Sequence, residues 1–381
     1  MRALFDDTHE MYRQSFRSFV HDRLAPHADE WEQAGIADRA IFAEAGKLGF
    51  TGMSVDERYG GGGVNDFCFN AIITEELASA NLGGAGLGIT LHNDITTPYF
   101  VEYCNDEQAA RWLPGIASGE LITAIAMTEP GTGSDLQGIA THAVKDGDEY
   151  ILNGSKTFIT NGINSDLIIV VARTHPDGGR AGMSLLVVER GMAGFERGQN
   201  IAKIGQHSQD TAELFFDDVR VPASNVLGEE GRAFDYLTFN LAQERLSIGY
   251  YGLAAAEAAL RWTVDYVKER QAFGSALASF QNTKFELADM STELAVTRPF
   301  MEQCVRELNE GELSVAQAAR AKLWGSEVQG RVTDRCLQLF GGYGYTNEYP
   351  ISRAYVDARV ARIYGGTSEI MKTIISKDVL A

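Results

Sequence analysis

The chain has 381 residues, of which 45% are hydrophobic and 8 are proline. A chain of this length exceeds one compact core and predicts two or three domains in an ordered globular protein. The formal net charge of −19 disfavours a general role on nucleic acid or anionic lipid, and no apolar run reaches the roughly 20 residues of a membrane span.

The first residues and the cysteines indicate a reducing compartment. The chain turns acidic at Asp6 and Asp7 and lacks the apolar stretch of a secretory signal. Its four cysteines lie far apart without a CxxC pair, and its seven histidines are equally dispersed. We therefore expect a cytoplasmic protein without disulfides and without a bound metal.

Residues 1–119 predict an α-helical N-terminal domain. Apolar residues recur at helical spacing from Met11 to Val20, and the pattern returns from Ile72 to Ala78. The glycine run 60–63 interrupts the pattern, so we expect helices on both sides of it.

Residues 120–230 predict a central domain of β-sandwich or β-barrel type. The apolar spacing changes to two, and strands are expected over 167–172, 185–188 and 214–221. Turn signals stand at Asp146-Gly147, Asn153-Gly154 and Asn161-Gly162. The first of them is the centre of a predicted hairpin.

Residues 231–381 predict a C-terminal antiparallel four-helix bundle. Apolar-periodic stretches cover about 232–270, 281–308, 314–339, 351–361 and 367–379. Ser314 and Thr367 are candidate N-caps, the second with Glu369 in the first helical turn. Long helices with short connections favour antiparallel packing, so the fold class is α+β in three domains.

Two segments far apart in the sequence carry a recognisable pattern. MTEPGTGSD occupies residues 127–135, and QLFGGYGY at 338–345 is followed by YGGTSEI at 364–370. Neither segment alone identifies a protein family. The first, for example, is also what a tight turn that needs glycine would look like. In this order and separation they resemble the acyl-CoA dehydrogenase family, and the resemblance covers essentially the whole chain.

The resemblance implies a flavoenzyme. Its members bind FAD and convert an acyl-CoA thioester to the trans-2-enoyl-CoA, in fatty-acid or branched-chain acyl catabolism. They pass electrons to an electron-transfer flavoprotein and assemble as homotetramers, as a dimer of dimers. The order of helical, β and helical domains is also the one expected from the residue patterns.

The resemblance also implies the residues that bind the cofactor. Met127 and Thr128 are expected at the pyrimidine side of the flavin, with Phe158 against its face and Thr160 near its N5 region. Phe158 replaces the more usual Trp and can still stack, although it offers no N–H. Residues implied to hold the FAD of a neighbouring subunit are Arg270, Phe273, Gln281, Gln338, Gly341 and Gly342; Thr367 and Glu369 are also implied at the cofactor. Alone, Phe158 could be a buried core residue and Arg270 a cap of a helix C-terminus.

The substrate contacts implied by the resemblance come from three parts of the chain. Ser134 is expected to touch the bound acyl-CoA, and Arg245 is expected at the CoA end. Tyr364 and Gly366 flank the position where much of the family carries its catalytic Glu. In this chain that position is Gly365, whose backbone N–H is implied to donate to the thioester oxygen.

Glu244 is therefore the candidate base. Between residues 235 and 257 the charged side chains are Glu244 and Arg245 alone. Glu244 shares a helix face with Leu241 and Ile248, so it should point into the apolar interior, where a carboxylate needs a partner or a task. The alternative is an ion pair with Arg245, although successive residues diverge by about 100° around a helix. The long-chain and isovaleryl branches of the family carry their base in a similar segment, which favours Glu244.

Other readings and the acyl chain length stay open at this point. Alternatives are an acyl-carrier-protein dehydrogenase, an acyl-CoA oxidase, an isovaleryl-type enzyme and a catalytically silent scaffold of the same fold. Gly249 and Gly252 follow Glu244 on its helix and indicate that something packs closely there. An acyl tail of medium to long length and a neighbouring helix both fit that pattern. The resemblance to the long-chain branch favours the acyl tail, so we expect a medium- to long-chain substrate, with a short branched acyl-CoA as the alternative.

Overall fold

The computed structural model describes residues 4–381 as helical regions on both sides of a central group of strands. The helices before the strands are α1 (Asp7–Phe19), α2 (Ala28–Ala34), α3 (Ala40–Lys47), α4 (Phe67–Ser79), α5 (Gly83–Thr90), α6 (Thr97–Tyr103) and α7 (Asp106–Ala117). A π-helical segment, Leu91–Thr96, joins α5 to α6. The chain therefore begins as an all-helical region, as the apolar spacing predicts.

The middle of the chain forms strands. They are β1 (Thr123–Ala126), β2 (His142–Asp146), β3 (Glu149–Thr160), β4 (Leu167–Arg173), β5 (Met183–Glu189), β6 (Phe195–Asn200), β7 (Thr211–Pro222) and β8 (Val226–Leu227). Hydrogen bonds connect them in the order β6-β7-β3-β2-β4-β5-β8, with β1 parallel to β4. The sheet is mixed, and β2 meets β4 through the single pair His142 and Arg173.

This narrow junction divides the sheet into two halves that face each other. Ile168 and Val170 of one half and Leu152 and Leu214 of the other belong to one buried apolar cluster. The opposite face of β1, β4 and β5 packs on α7, where Trp112 is almost fully buried. The central domain is thus two-layered, and one layer is fastened to the N-terminal helices.

Two of the three turn signals are turns in the structure. Asp146 and Glu149 close the β2–β3 hairpin, and Asn161-Gly162 lies directly after β3. The turn predicted at Asn153-Gly154 is wrong, because both residues lie inside β3 at a register shift against β7. Gly154 has a φ of +145°, and a Cβ there would lie 2.5 Å from the Thr141 hydroxyl. The glycine serves a bulge with a close neighbour, a need that a dipeptide turn signal does not distinguish.

The C-terminal region is the predicted helical bundle. Its helices are α8 (Ala233–Glu269), α9 (Gln281–Asn309), α10 (Val315–Phe340), α11 (Pro350–Ala358) and α12 (Ser368–Val379); a short hairpin of β9 (Gln271–Ala272) and β10 (Ser275–Ala276) precedes α9. The side chains of Ser314 and Thr367 accept hydrogen bonds from the backbone N–H groups of Gln317 and Ile370, as N-caps do. The three-domain α+β fold class is confirmed.

α8 and α10 pack with almost no space between their backbones. A Cβ on Gly249 would lie 2.4 Å from the carbonyl oxygen of Ala321, and one on Gly252 would lie 2.5 Å from that of Gly325. The interpretation of these glycines as a wall for an acyl tail is therefore wrong. They allow a neighbouring helix to approach.

Across residues 4–381 the structure contains no helix that is long and apolar enough to cross a membrane.

Candidate active site

A cavity opens where α4, α5, the π-helical segment, the ends of β1 and β3, and α8 meet. Its empty volume is about 1010 Å³ when counted out to its mouth. The ends of β1 and β3 contribute Met127, Thr128, Phe158 and Thr160 to its wall; the helices contribute Leu77, Leu87, Glu244 and Tyr251. The cavity thus brings the expected flavin contacts and the candidate base together.

Glu244 is buried in this wall, with a relative exposure of 3%. The Tyr99 hydroxyl donates a hydrogen bond of 2.9 Å to its Oε1. Within residues 4–381 its Oε2 has no hydrogen-bond partner, so this oxygen is the one free to meet a ligand. Burial raises the pKa of Glu244 to about 7, while the Tyr99 hydrogen bond and the Arg245 charge act in the opposite direction. A carboxyl group of this kind accepts and releases a proton near neutral pH.

Gly365 and Gly366 form a turn at the cavity edge that requires glycine. Their φ angles are +61° and +92°. A Cβ on Gly365 would lie 2.2 Å from the Ile248 Cδ1 atom, which already fills that space. The fully buried Lys322 donates from its Nζ to the Gly366 carbonyl oxygen over 2.6 Å and so fixes the turn to α10. Burial lowers the pKa of Lys322 to about 8.

Phe158 stands out on the opposite wall. It lies where the β3–β7 pairing shifts register, has a φ of +59° and is 65% exposed. A large aromatic ring in strained backbone and open to a cavity is costly unless it has a ligand to contact. The interpretation of Phe158 as a buried core residue is therefore wrong.

A buried ion pair fixes the strand ends around Phe158. Lys156 donates from its Nζ to Glu129 Oε1 over 2.8 Å and to the Met127 carbonyl oxygen over 3.0 Å. The backbone N–H of Thr157 donates to the Thr128 carbonyl oxygen. Sequence reasoning missed the pairing of Lys156 with Glu129, because the two residues are distant in sequence and neither stands in an apolar run. Together these contacts hold Thr128 and Phe158 at a fixed separation.

A second cavity lies at the far end of the bundle and opens widely to solvent; its empty volume is about 860 Å³ when counted out to its mouth. Arg270, Gly341 and Gly342 line it together with Tyr266 and Tyr343. The Arg270 guanidinium carbon lies 5.2 Å from the centre of the Tyr343 ring. Nearby in sequence, Phe273 is 97% exposed. The structure brings these residues together, but not into the cavity that contains Glu244.

The remaining predicted site residues lie apart from the two cavities or at their edges. Tyr364 lines the first cavity. Gln281 begins α9 and Gln338 lies near the end of α10, both exposed; Ser134 is exposed in the loop after β1, and Glu369 is exposed in the first turn of α12. Arg245 is nearly buried yet has no hydrogen bond or ion pair with any residue in 4–381, and it does not line the first cavity. Tyr99 and Lys322 were not foreseen, because nothing in the local sequence of either indicates the distant atom that it contacts.

The first cavity fits a flat aromatic cofactor beside an acyl chain. Phe158 offers an aromatic ring, and the Thr128 and Thr160 side chains offer hydroxyl groups. The opposite end is apolar around Leu77 and Leu87. Such a site can place a hydride acceptor on one side of a substrate and a proton acceptor on the other.

The chain has helical domains before and after a mixed sheet, and a candidate proton acceptor lines the cavity where they meet. This is the architecture of a flavin-dependent oxidoreductase that acts on acyl thioesters. Comparison with known proteins shows the family. Residues 6–120, 124–219 and 231–380 match the N-terminal, middle and C-terminal domains of acyl-CoA dehydrogenase. The chain belongs to the acyl-CoA dehydrogenase family, and its activity is the dehydrogenation of acyl-CoA in fatty-acid catabolism.

Individual relatives resemble the chain over its whole length. The long-chain specific acyl-CoA dehydrogenase of Sus scrofa mitochondria is 48% identical over 100% of this chain and 88% of its own length. The acyl-CoA dehydrogenase of Geobacillus kaustophilus is 48% identical, with a TM-score of 0.96 and 100% of both chains covered. A chain from the structure described as the electron transferring flavoprotein of Acidaminococcus fermentans is 36% identical, with a TM-score of 0.95 and 100% of both chains covered.

Proposed function

We propose that Glu244 is the catalytic base of this acyl-CoA dehydrogenase and that it removes the α-proton of a medium- to long-chain acyl-CoA. The observation that carries the proposal is the free Oε2 of a buried carboxyl group in the cavity wall. The alternative position in the family is held here by Gly365, whose φ of +61° favours glycine and whose added Cβ would displace the Ile248 side chain. An internal ion pair does not account for Glu244 either, since no oxygen of Glu244 lies within ion-pair distance of Arg245 among the described residues.

The proton chemistry follows from the environment of Glu244. With a pKa of about 7, a substantial part of the enzyme holds Glu244 as a carboxylate at neutral pH. The same value keeps it basic enough to accept a proton from a carbon acid. As the α-proton leaves, negative charge develops on the thioester oxygen, and the backbone N–H of Gly365 is the proposed donor to it. Lys322 would stabilise this arrangement by holding the Gly366 carbonyl.

We propose FAD as the cofactor, with its flavin between Phe158 and the substrate. Bound flavin supplies the hydride acceptor for the β-carbon. Met127, Thr128 and Thr160 would contact its ring from the ends of β1 and β3. Ser134, Arg245, Tyr364 and Gly366 remain the proposed substrate contacts, and Thr367 and Glu369 remain proposed cofactor contacts.

The second cavity supports a cofactor site shared between subunits. Arg270 is suited to a pyrophosphate because its planar guanidinium gives bidentate, permanently charged donation. Phe273, Gln281, Gln338, Gly341 and Gly342 would complete the site for the FAD of a neighbouring chain, in a dimer of dimers. Electrons would leave to an electron-transfer flavoprotein. The four unpaired cysteines fit a reducing compartment such as the cytoplasm.

The acyl chain length is proposed from the apolar end of the cavity. Leu77 and Leu87 line it, and Gly83 and Gly86 of α5 carry no side chain into it. Tyr251 stands at this end with its hydroxyl beside Gly83, where an added Cβ would lie 1.8 Å away. A tail that reaches α5 is medium to long, which agrees with the 48% identity to a long-chain specific relative. An isovaleryl-type substrate and an acyl-carrier-protein thioester are the remaining alternatives.

The Glu244→Gln variant tests the base. It keeps the size of the side chain and leaves the flavin contacts intact, so purified protein should retain FAD. Flavin reduction by acyl-CoA, followed anaerobically by stopped flow, should be slower by at least about 10²–10⁴, since that is the usual contribution of general base catalysis. Asp265→Asn on the exposed side of the same helix is the control and should reduce at the wild-type rate. Near wild-type reduction by Glu244→Gln would reject the assignment.

A further inference from the structure

Tyr99 lies in direct contact with the proposed base but comes from a different part of the chain. It belongs to α6, has no exposed surface and donates from its hydroxyl to Glu244 Oε1 over 2.9 Å. Its ring is part of the apolar cluster between α7 and the sheet, which also contains Phe100 and Trp112. The hydroxyl is therefore a fixed polar group at the edge of a well-packed apolar core.

A second set of contacts fastens the π-helical segment that precedes α6 to α8. The Asp94 carbonyl oxygen, just before α6, accepts a 2.7 Å hydrogen bond from Gln243 Nε2. The Asp94 carboxylate accepts a 2.5 Å hydrogen bond from the Ser247 hydroxyl. Gln243 and Ser247 precede and follow Glu244 on α8. The π-helical segment continues directly into α6, so the two Asp94 contacts and the Tyr99 hydrogen bond together hold this part of the chain against α8.

We propose that Tyr99 is a positioning residue for the catalytic base, holding Oε1 of Glu244 so that Oε2 faces the α-carbon of the substrate. This inference rests on the proposed role of Glu244. Oε1 is occupied by the tyrosine, and Oε2 has no partner among residues 4–381, so the two oxygens have different tasks. Without the hydroxyl the carboxyl group can rotate about its terminal bond, and both oxygens exchange between the two positions.

The hydrogen bond also favours the charged form of Glu244, which is the form that accepts the proton. Several other charged or titratable groups lie around the base and are retained in any test at Tyr99. They are Arg245 on α8, Asp94 in the π-helical segment, Lys322 on α10, Tyr103 on α6, and Tyr251 and Tyr364 in the cavity wall. Asp94 accepts the hydrogen bond of Ser247, which also lies on α8. Of these, Arg245 acts on Glu244 in the same direction as Tyr99, while burial acts against both.

The Tyr99→Phe variant removes the hydroxyl and keeps the ring. We expect the rate of flavin reduction at saturating acyl-CoA to fall about 3- to 30-fold, because the lost hydrogen bond acts on the base. The dissociation constant for acyl-CoA should stay within about twofold of wild type, because the hydroxyl does not contact the substrate. The pH at which the rate is half-maximal should rise by about half a unit or more. The rise is expected because the lost hydrogen bond favoured the carboxylate.

The matched control is Tyr103→Phe on the same helix. Tyr103 stacks on Tyr236 at 4.0 Å and accepts a hydrogen bond from Asn240, but it does not contact Glu244. This variant should leave the half-maximal pH unchanged. A Tyr99→Phe enzyme with the wild-type pH profile and rate would overturn the inference, and so would an equal shift in both variants.

A second measurement tests the inference even if the Tyr99→Phe protein is less stable than wild type. Melting temperatures are compared for Tyr99→Phe, Glu244→Leu and the double variant, each as holoenzyme. If the hydroxyl serves Glu244, the two losses overlap and the double variant melts well above the temperature that adding them predicts. Simple additivity would overturn the inference. Failure of the proposed function is separate, because it would appear as rapid flavin reduction by Glu244→Gln with Tyr99 still present.

Discussion

The side chain of Ile248 links Glu244 to Gly365, because it occupies the space that a side chain at residue 365 would take. Ile248 lies one helical turn after Glu244, on the same face, and its Cδ1 occupies the space next to Gly365. A carboxylate on α8 and one in the turn at residue 365 therefore cannot coexist without moving Ile248. The positive φ angles at residues 365 and 366 add a second constraint that favours glycine. The proposed base on α8 and the glycine turn are thus linked by the Ile248 side chain, which packs next to both.

The raised pKa of Glu244 predicts the pH dependence of the reaction. The group must be deprotonated to act, and burial places its pKa at about 7, above its ordinary value of 4.5. Flavin reduction should therefore be slow in acid and should rise through neutral pH. The rate constant at saturating acyl-CoA, measured by stopped flow from about pH 5.5 to 8.5, checks this. A profile that is flat across this range would show that Glu244 is not the group that titrates, and the dissociation constant at each pH serves as the control.

The contact of α8 with α10 depends on glycines in facing positions. Gly249 and Gly252 of α8 meet Ala321 and Gly325 of α10, and the backbone atoms of each helix occupy the space that side chains would need. Since α8 carries Glu244 and α10 carries Lys322, this contact also sets the distance between the base and the glycine turn. The close packing of α8 on α10 thus fixes the separation between Glu244 and the glycine turn.

Gly252→Ala should destabilise the protein although alanine favours helices. The added Cβ would lie 2.5 Å from the Gly325 carbonyl oxygen, which is backbone and cannot move independently. Overpacking of this kind typically costs about 1–3 kcal/mol, so the melting temperature should fall by several degrees. Gly330→Ala in α10 is the control, because the nearest atoms to its added Cβ belong to the end of the Arg362 side chain rather than to backbone, and a side chain can rearrange. Equal melting temperatures for wild type and Gly252→Ala would contradict this account.

The cavity that contains Glu244 and the cavity that contains Arg270 support the proposed dependence of FAD binding on assembly. One contains Phe158 and Glu244, and the other contains Arg270, Gly341 and Gly342. A dinucleotide that extends from the first cavity of one chain can reach the second cavity of its neighbour only in an oligomer. The nearly complete exposure of Phe273 fits a residue that is covered by a partner.

Arg270→Ala should weaken FAD binding and oligomerisation together. The change removes the proposed pyrophosphate contact and a side chain at the proposed interface. Size-exclusion chromatography with light scattering, combined with the ratio of flavin to protein absorbance, measures both effects. Arg261→Ala is the control, since Arg261 lies on the exposed side of the same helix and contacts Ser79. A variant that keeps wild-type FAD content and mass would contradict the shared site.

The apolar end of the first cavity predicts the substrate profile of the whole enzyme. kcat/KM should rise from butyryl-CoA to octanoyl- or palmitoyl-CoA, because each buried methylene contributes roughly 0.8 kcal/mol. Isovaleryl-CoA tests the alternative of a branched short-chain substrate. An octanoyl or palmitoyl thioester of acyl-carrier protein tests the alternative of a carrier-protein substrate. An optimum at four or five carbons would reject a site for long chains.

The sequence by itself determined the order of the domains, the course of the long helices and the candidate base. Hydrophobic periodicity is a local property, so it located α8, α9 and α10 to within one or two residues of their ends. The same periodicity placed Glu244 on an apolar face, and the structure buries it there. The two motifs indicated the family, which the comparisons show.

Only the tertiary structure decided which atoms meet across the chain. Hydrophobic periodicity indicates that a helix face is covered, but it does not identify the covering group. The glycines of α8 therefore fitted both an acyl tail and a neighbouring helix, and the structure shows that α10 packs against them. The contacts of Tyr99 with Glu244 and of Lys322 with Gly366 join residues that are distant in sequence. A hydrogen bond between distant residues leaves no local pattern, because its geometry exists only after the helices have packed.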